Sequence, residues 1–174
     1  MKRAMFLTLM VLVVGCCALA QAQEKVEPVH FSKLLPFLPD KVDGFVAEKA
    51  EGSTNAAVGF KITEVSRTYH KGKEDADETV TVKITDGAGN QFFAAAHAAA
   101  MEFSHESTEG YEKGFKLDSY PAVEKYTSES KNGTLSVFVS DRYLIEIDIN
   151  GLDSKALQEW WKKIDVKKLI DLKA

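Results

Sequence analysis

The stretch GTLSVFVSDRYLIEIDINGLD, residues 133–153, decides the fold. Leu135, Val137 and Val139 recur at every second position. Tyr143, Ile145, Ile147 and Ile149 do the same, alternating with Leu144, Glu146 and Asp148. A period of two puts one side-chain set on one face of a pleated strand, so two strands are predicted, reversing at Asp141-Arg142. Gly151 ends the second. Asp153 or Ser154 then stands where a helix cap belongs, ahead of a helix carrying Leu157, Trp160, Trp161 and Ile164, and residues 166–172 close as a short helical turn.

Moving upstream, Asn132-Gly133 carries the strongest hairpin signal, because a two-residue primed turn needs positive φ at both positions. It is expected to join a strand over 123–128 to the Leu135 strand. Residues 110–116 read as irregular and aromatic, with a short strand over 115–117. TVTVKITD, residues 79–86, alternates cleanly, and Asp86-Gly87-Ala88-Gly89-Asn90 reads as a turn whose Asn90 caps a helix starting at Gln91. Residues 71–78, KGKEDADE, form a charged turn. In residues 57–70 the apolar phase moves from Val58, Phe60 and Ile62 to Val65, Arg67 and Tyr69, which predicts a bulge near Thr63-Glu64. A strand over 44–49 and a proline-stopped helical turn over 29–39 complete the inventory.

This order predicts an α+β fold: an antiparallel meander sheet of about six or seven strands covered by two main helices, α/β/α-sandwich-like, in a single domain over 30–174. The N-terminus reads as an export signal. Lys2 and Arg3 precede an apolar run over 4–14, too short to span a bilayer, and small residues follow. Ala18-Leu19-Ala20 and Ala20-Gln21-Ala22 suit ordinary cleavage, giving a signal peptide over 1–22 and a short linker over 23–29. Val13-Val14-Gly15-Cys16 instead resembles a lipobox, in which case Cys16 is lipidated and the domain is tethered to a membrane surface.

The only two cysteines are Cys16 and Cys17, so the predicted domain holds no disulfide, thiolate metal site or cysteine nucleophile. Losing Lys2 and Arg3 leaves 20 basic against 26 acidic residues, a formal charge of −6, which disfavours nucleic acid as a partner.

HAAAMEFSH, residues 97–105, raises the question of a copper or zinc site. On a straight helix His97 and His105 lie roughly 12 Å apart, too far for one ion, so Met101 would pair with His97 or with His105 and borrow His30 or His70. The competing reading makes the stretch the margin of an apolar face built from Phe92, Phe93, Ala96, Ala99, Ala100 and Phe103, with His97 partly buried and His105 wet. Glu74, Asp75, Asp77 and Glu78 crowd one loop without calcium-loop spacing, and Gly87-Ala88-Gly89 lacks the third glycine of a dinucleotide fingerprint. No nucleophile elbow is present.

Binding candidates are aromatic. GYEKGFKLDSYP, residues 110–121, sets Tyr111, Phe115 and Tyr120 among glycines and lysines, and Trp161 follows Trp160 on a helix where adjacent indoles point about 100° apart, so one is expected at a rim. The element order, with the 133–153 run before an aromatic helix, resembles that of many exported bacterial proteins of unknown function. It is similar to the PsbP/Mog1 type of α/β/α sandwich over roughly residues 30–172, a resemblance that implies fold only. The expectation is an exported, non-enzymatic binding or assembly module for an envelope protein or small ligand, with no cofactor and no transmembrane span. The alternative is a metal-binding protein.

Overall fold

The computed structural model describes residues 26–57, 60–88 and 91–172. The predicted signal over 1–22, Cys16, and linker residues 23–25 lie outside the described residues. So do Val58, Asn90 and the side chains of Phe92, Phe93, Ala96 and Ala100.

Nine antiparallel strands form one open sheet: β1 (Phe45–Ala47), β2 (Glu51–Ala57), β3 (Phe60–Lys71), β4 (Thr79–Asp86), β5 (Ser104–Ser107), β6 (Gly110–Leu117), β7 (Tyr120–Thr127), β8 (Asn132–Val139) and β9 (Tyr143–Asn150). The order across the sheet is β1-β3-β4-β9-β8-β7-β6-β5, with β2 also lying on β3. The helices described are short: α1 (Phe31–Leu34), α2 (Gln91–Met101), α3 (Lys155–Trp161) and α4 (Val166–Ile170), with a 3-10 turn at Leu35–Phe37.

This corrects the expected α+β sandwich of six or seven strands under two main helices. The chain is mostly β. The extra strands come from EGSTNAA in β2, SHES in β5 and GYEKGFKL in β6, none of which shows apolar alternation over its whole length. They become strands because a neighbouring strand supplies their hydrogen bonds, a cause that lies outside the segment itself. The two helices expected to roof the sheet are 11 and 7 residues long, too short to cover nine strands.

Two turns also shift. Asn132 and Gly133 open β8, paired with Thr127 and Tyr126, so the reversal falls on residues 128–131, where Lys131 takes the positive φ. Between β8 and β9 the left-handed pair is Ser140-Asp141. No bulge interrupts β3, whose register with β4 is continuous from Thr63 to His70. The extra residue sits on the opposing strand, where Lys49 and Ala50 together face Arg67 between Glu48, bonded to Thr68, and Glu51, paired with Ser66.

One face of the sheet carries the core. Val80, Val82 and Ile84 of β4, Ile145 and Ile147 of β9, and Leu135 and Val137 of β8 are fully buried beneath Leu34, Leu38, Leu157 and Leu169. Both indoles of α3 are buried as well, Trp160 at 2% exposure and Trp161 at 3%, so neither lies at a rim. Trp160 packs on Phe45 and Tyr69, whereas Trp161 meets Tyr120 and donates its indole N–H to Asp118 at 2.8 Å. Tyr69 and Tyr120 belong to β3 and β7, four steps apart in the sheet and roughly 19 Å in a flat one. The adjacent indoles thus give both flanks of the helix an aromatic neighbour on the sheet.

The opposite face is largely polar, with Thr68 bonded to Thr81, Lys83 paired with Glu146 and Thr134 bonded to Asp148. Among the described elements α2 covers it, lying over β7 and β6. Gly114 permits this approach, because a Cβ there would stand 2.3 Å from the Met101 carbonyl oxygen.

Candidate binding site

Strand β6 turns Tyr111, Lys113, Phe115 and Leu117 to the same face as Ala122, Glu124 and Tyr126 of β7, their register partners being Tyr111↔Tyr126, Lys113↔Glu124 and Phe115↔Ala122. Glu124 is a carboxylate at 2% exposure, and its burial is tolerable because both oxygens accept. The Tyr111 hydroxyl donates to Oε1 at 2.6 Å, the Gln158 amide of α3 donates to Oε2 at 3.1 Å, and the Lys113 ammonium lies 3.3 Å from Oε1. Burial, reinforced by the bond to Glu124, pushes the Tyr111 hydroxyl up to about 12. Tyr111 is thus a fixed donor, and each Glu124 oxygen already accepts a hydrogen bond.

Lys113 runs between two rings, its nitrogen 4.6 Å from the Tyr111 centroid and 5.5 Å from that of Phe115. Cation–π attraction and the Glu124 carboxylate hold an ammonium whose side chain is still 43% exposed. The result is a ledge along β6, two half-buried aromatic rings with a positive charge between them. Beside it the sheet edge is incomplete. β5 pairs only with Gly110–Lys113, the Gly114 N–H donates to the Phe103 carbonyl, and the Phe103 side chain is 51% exposed.

Of the aromatic residues expected in a site, Tyr111 and Phe115 share this ledge through Lys113. Tyr120 and Phe115 both also pack against the core, and Tyr120 meets the buried Trp161 of α3. Sequence reasoning missed Lys113, Glu124 and Gln158. A signal for Glu124 was present, since a carboxylate stands between Ala122 and Tyr126 at inward-facing parity.

The metal candidates do not share one helix. His97 is buried on α2, its Nε2–H donating to the Pro121 carbonyl at 3.0 Å and its ring against Phe138, and burial lowers its pKa. Met101 ends α2. His105 lies on the exposed strand β5, not on the expected helical continuation. Among the described residues, no three His, Cys, Asp or Glu side chains are grouped so as to hold a metal ion.

Two further polar constellations brace the fold. Asp86, fully buried, takes a two-pronged contact from Arg142, with Nε at 3.0 Å and Nη2 at 2.7 Å, and accepts the Val29 and Ala88 N–H groups, tying the N-terminal segment to the β8–β9 turn. His70 faces Glu48 at 2.6 Å through Nε2 and the Ala76 carbonyl at 3.1 Å through Nδ1, in a shallow pocket also lined by Glu74 and Asp75. A ring facing acceptors at both nitrogens donates from both only when protonated, and the Glu48 bond, followed by that to Ala76, raises its pKa.

No protein-family model, curated protein or solved structure matches this chain. Among the described residues no helix is long and apolar enough to cross a membrane.

Proposed function

We propose that the chain is an exported, non-enzymatic binding or assembly module, and that its contact surface is the Tyr111–Lys113–Phe115 ledge of β6. The observation that carries this reading is the exposed ammonium of Lys113 held between two aromatic rings and neutralised from below by Glu124. A charge already positioned and partly compensated loses little freedom on binding, and flanking rings supply apolar area at low entropic cost. Such a surface suits a segment of an envelope protein carrying a carboxylate next to an apolar side chain. Export is supported by the signal-like pattern of the first residues and by the absence of cysteine after Cys17.

The test is photo-crosslinking in the intact envelope. A photoreactive residue replacing exposed Lys155, one helical turn before the Gln158 that bonds Glu124, is expected to give a discrete adduct that Phe115→Ala abolishes and that the same probe at Lys168 does not give. Identical labelling from both positions, or an adduct insensitive to Phe115→Ala, overturns the assignment. Cell fractionation that leaves the chain uncleaved in the cytoplasm overturns export.

A further inference from the structure

The geometry points to β2 as a dimerisation strand: two copies of this chain pair antiparallel through Glu51–Ala57, about a twofold axis at Thr54, making one sheet continuous across both. The two edges of the sheet are guarded differently. At one, β5 is four residues long and carries His105 and Glu106. At the other, β1 is three residues long and is followed by the bulge at Lys49-Ala50. Shortness, charge and bulges are the usual means of blocking edge-to-edge pairing. Beyond the bulge, β2 has none of them past its first residue. It runs seven residues in continuous register with β3, without Lys, Arg or Pro, and its only charge is Glu51 at the start.

The register also fixes which backbone groups are free. The Glu48 N–H donates to Thr68 O, so the even-numbered residues of β3 turn their backbone groups toward β1 and β2. Thr63, opposite Thr54, turns its own toward β4. Thr54 and Thr63 therefore form a close pair without mutual backbone bonds, consistent with their side-chain hydroxyls meeting at 2.9 Å. The N–H and C=O of Thr54, and by alternation those of Gly52 and Ala56, point outward from the edge, where no described strand lies.

A second copy fits that edge. Centred on Thr54, twofold pairing sets Thr54 against Thr54, Gly52 against Ala56, Ser53 against Asn55 and Glu51 against Ala57. No like charges oppose one another, and the three outward residues make about six backbone hydrogen bonds. Half-buried Phe31, which a Cβ at Gly52 would meet at 2.9 Å, gains Ala56 of the second copy as a neighbour. The interface is narrow, so affinity in the micromolar range is expected.

Light scattering of the purified chain across a concentration series is expected to show a monomer–dimer equilibrium. Ser53→Lys with Asn55→Lys, which opposes lysines across the axis at exposed positions, is expected to weaken it at least about tenfold while the circular dichroism is unchanged. Ala56→Pro, which removes an outward N–H and leaves the β3 ladder intact, is expected to do the same. Independently of any variant, amide exchange at Gly52, Thr54 and Ala56 is expected to slow as protein concentration rises. A chain that stays monomeric at millimolar concentration, a dimer indifferent to both variants, or exchange at these amides that ignores concentration overturns the proposal.

Discussion

The Tyr111 hydroxyl donates to Glu124 across 2.6 Å at the back of the β6 ledge, and the same carboxylate anchors Lys113 and receives Gln158 from α3. Ledge and core thus share one acid. Tyr111→Phe removes a single charge-assisted bond and is expected to cost about 1.5–3 kcal/mol. Glu124→Ala strands the Tyr111 hydroxyl and the Gln158 amide and is expected to cost more. Because both changes break the same contact, the double variant should lose less than the two singles together, as urea unfolding will measure.

Gly114 is required for lack of space. Its ideal Cβ meets three backbone atoms of Met101 between 2.3 and 2.5 Å, and backbone cannot swing aside as a side chain would. Gly114→Ala is expected to destabilise by about 1–3 kcal/mol and to raise amide exchange in α2 above that in α3. Equal exchange in both helices would show that α2 does not depend on this approach.

The two internal histidines act on stability with opposite signs. For His70 the folded pKa is raised, so its contribution is fully present below the ordinary value of 6.5 and is lost as pH rises through the folded pKa. For His97 the folded pKa is lowered by burial, so its contribution is present above 6.5 and is lost as pH falls through the folded pKa. The thermal midpoint is expected to fall on both sides of that region. His70→Gln should flatten the alkaline side and His97→Gln the acid side, and a profile in which either variant flattens the other side contradicts the assignment.

Arg142 holds Asp86 by geometry as well as charge. Arg142→Met leaves a fully buried carboxylate with, among the described residues, two backbone donors, Val29 and Ala88, and is expected to cost about 3–5 kcal/mol. Arg142→Lys keeps the charge but loses the planar fork, so its cost in a denaturant melt should fall between wild type and Arg142→Met.

Individual elements were legible, though the architecture was not. β4, β8 and β9 follow from strict alternation, and α3 from the Leu157–Trp160–Trp161 spacing after Ser154. β2 and β5 were not legible, because EGSTNAA and SHES contain no apolar residue large enough to show a period. The ledge was half legible: Tyr111 and Phe115 stood out as aromatics among glycines, while Glu124 looked like one more surface charge in a sequence with 26 acidic residues.

What the sequence by itself determined is local: which segments pleat with an apolar face, that no thiol staples the predicted domain, and that the chain opens with a signal-like run. Tertiary structure alone decided that adjacent indoles touch strands four steps apart, that Glu124 is buried while Glu112 is not, and that alternate backbone groups of β2 point outward. The physical reason is that a strand's partners and a carboxylate's solvent are set by residues tens of positions away. Side-chain identity constrains the possibilities, and packing chooses among them.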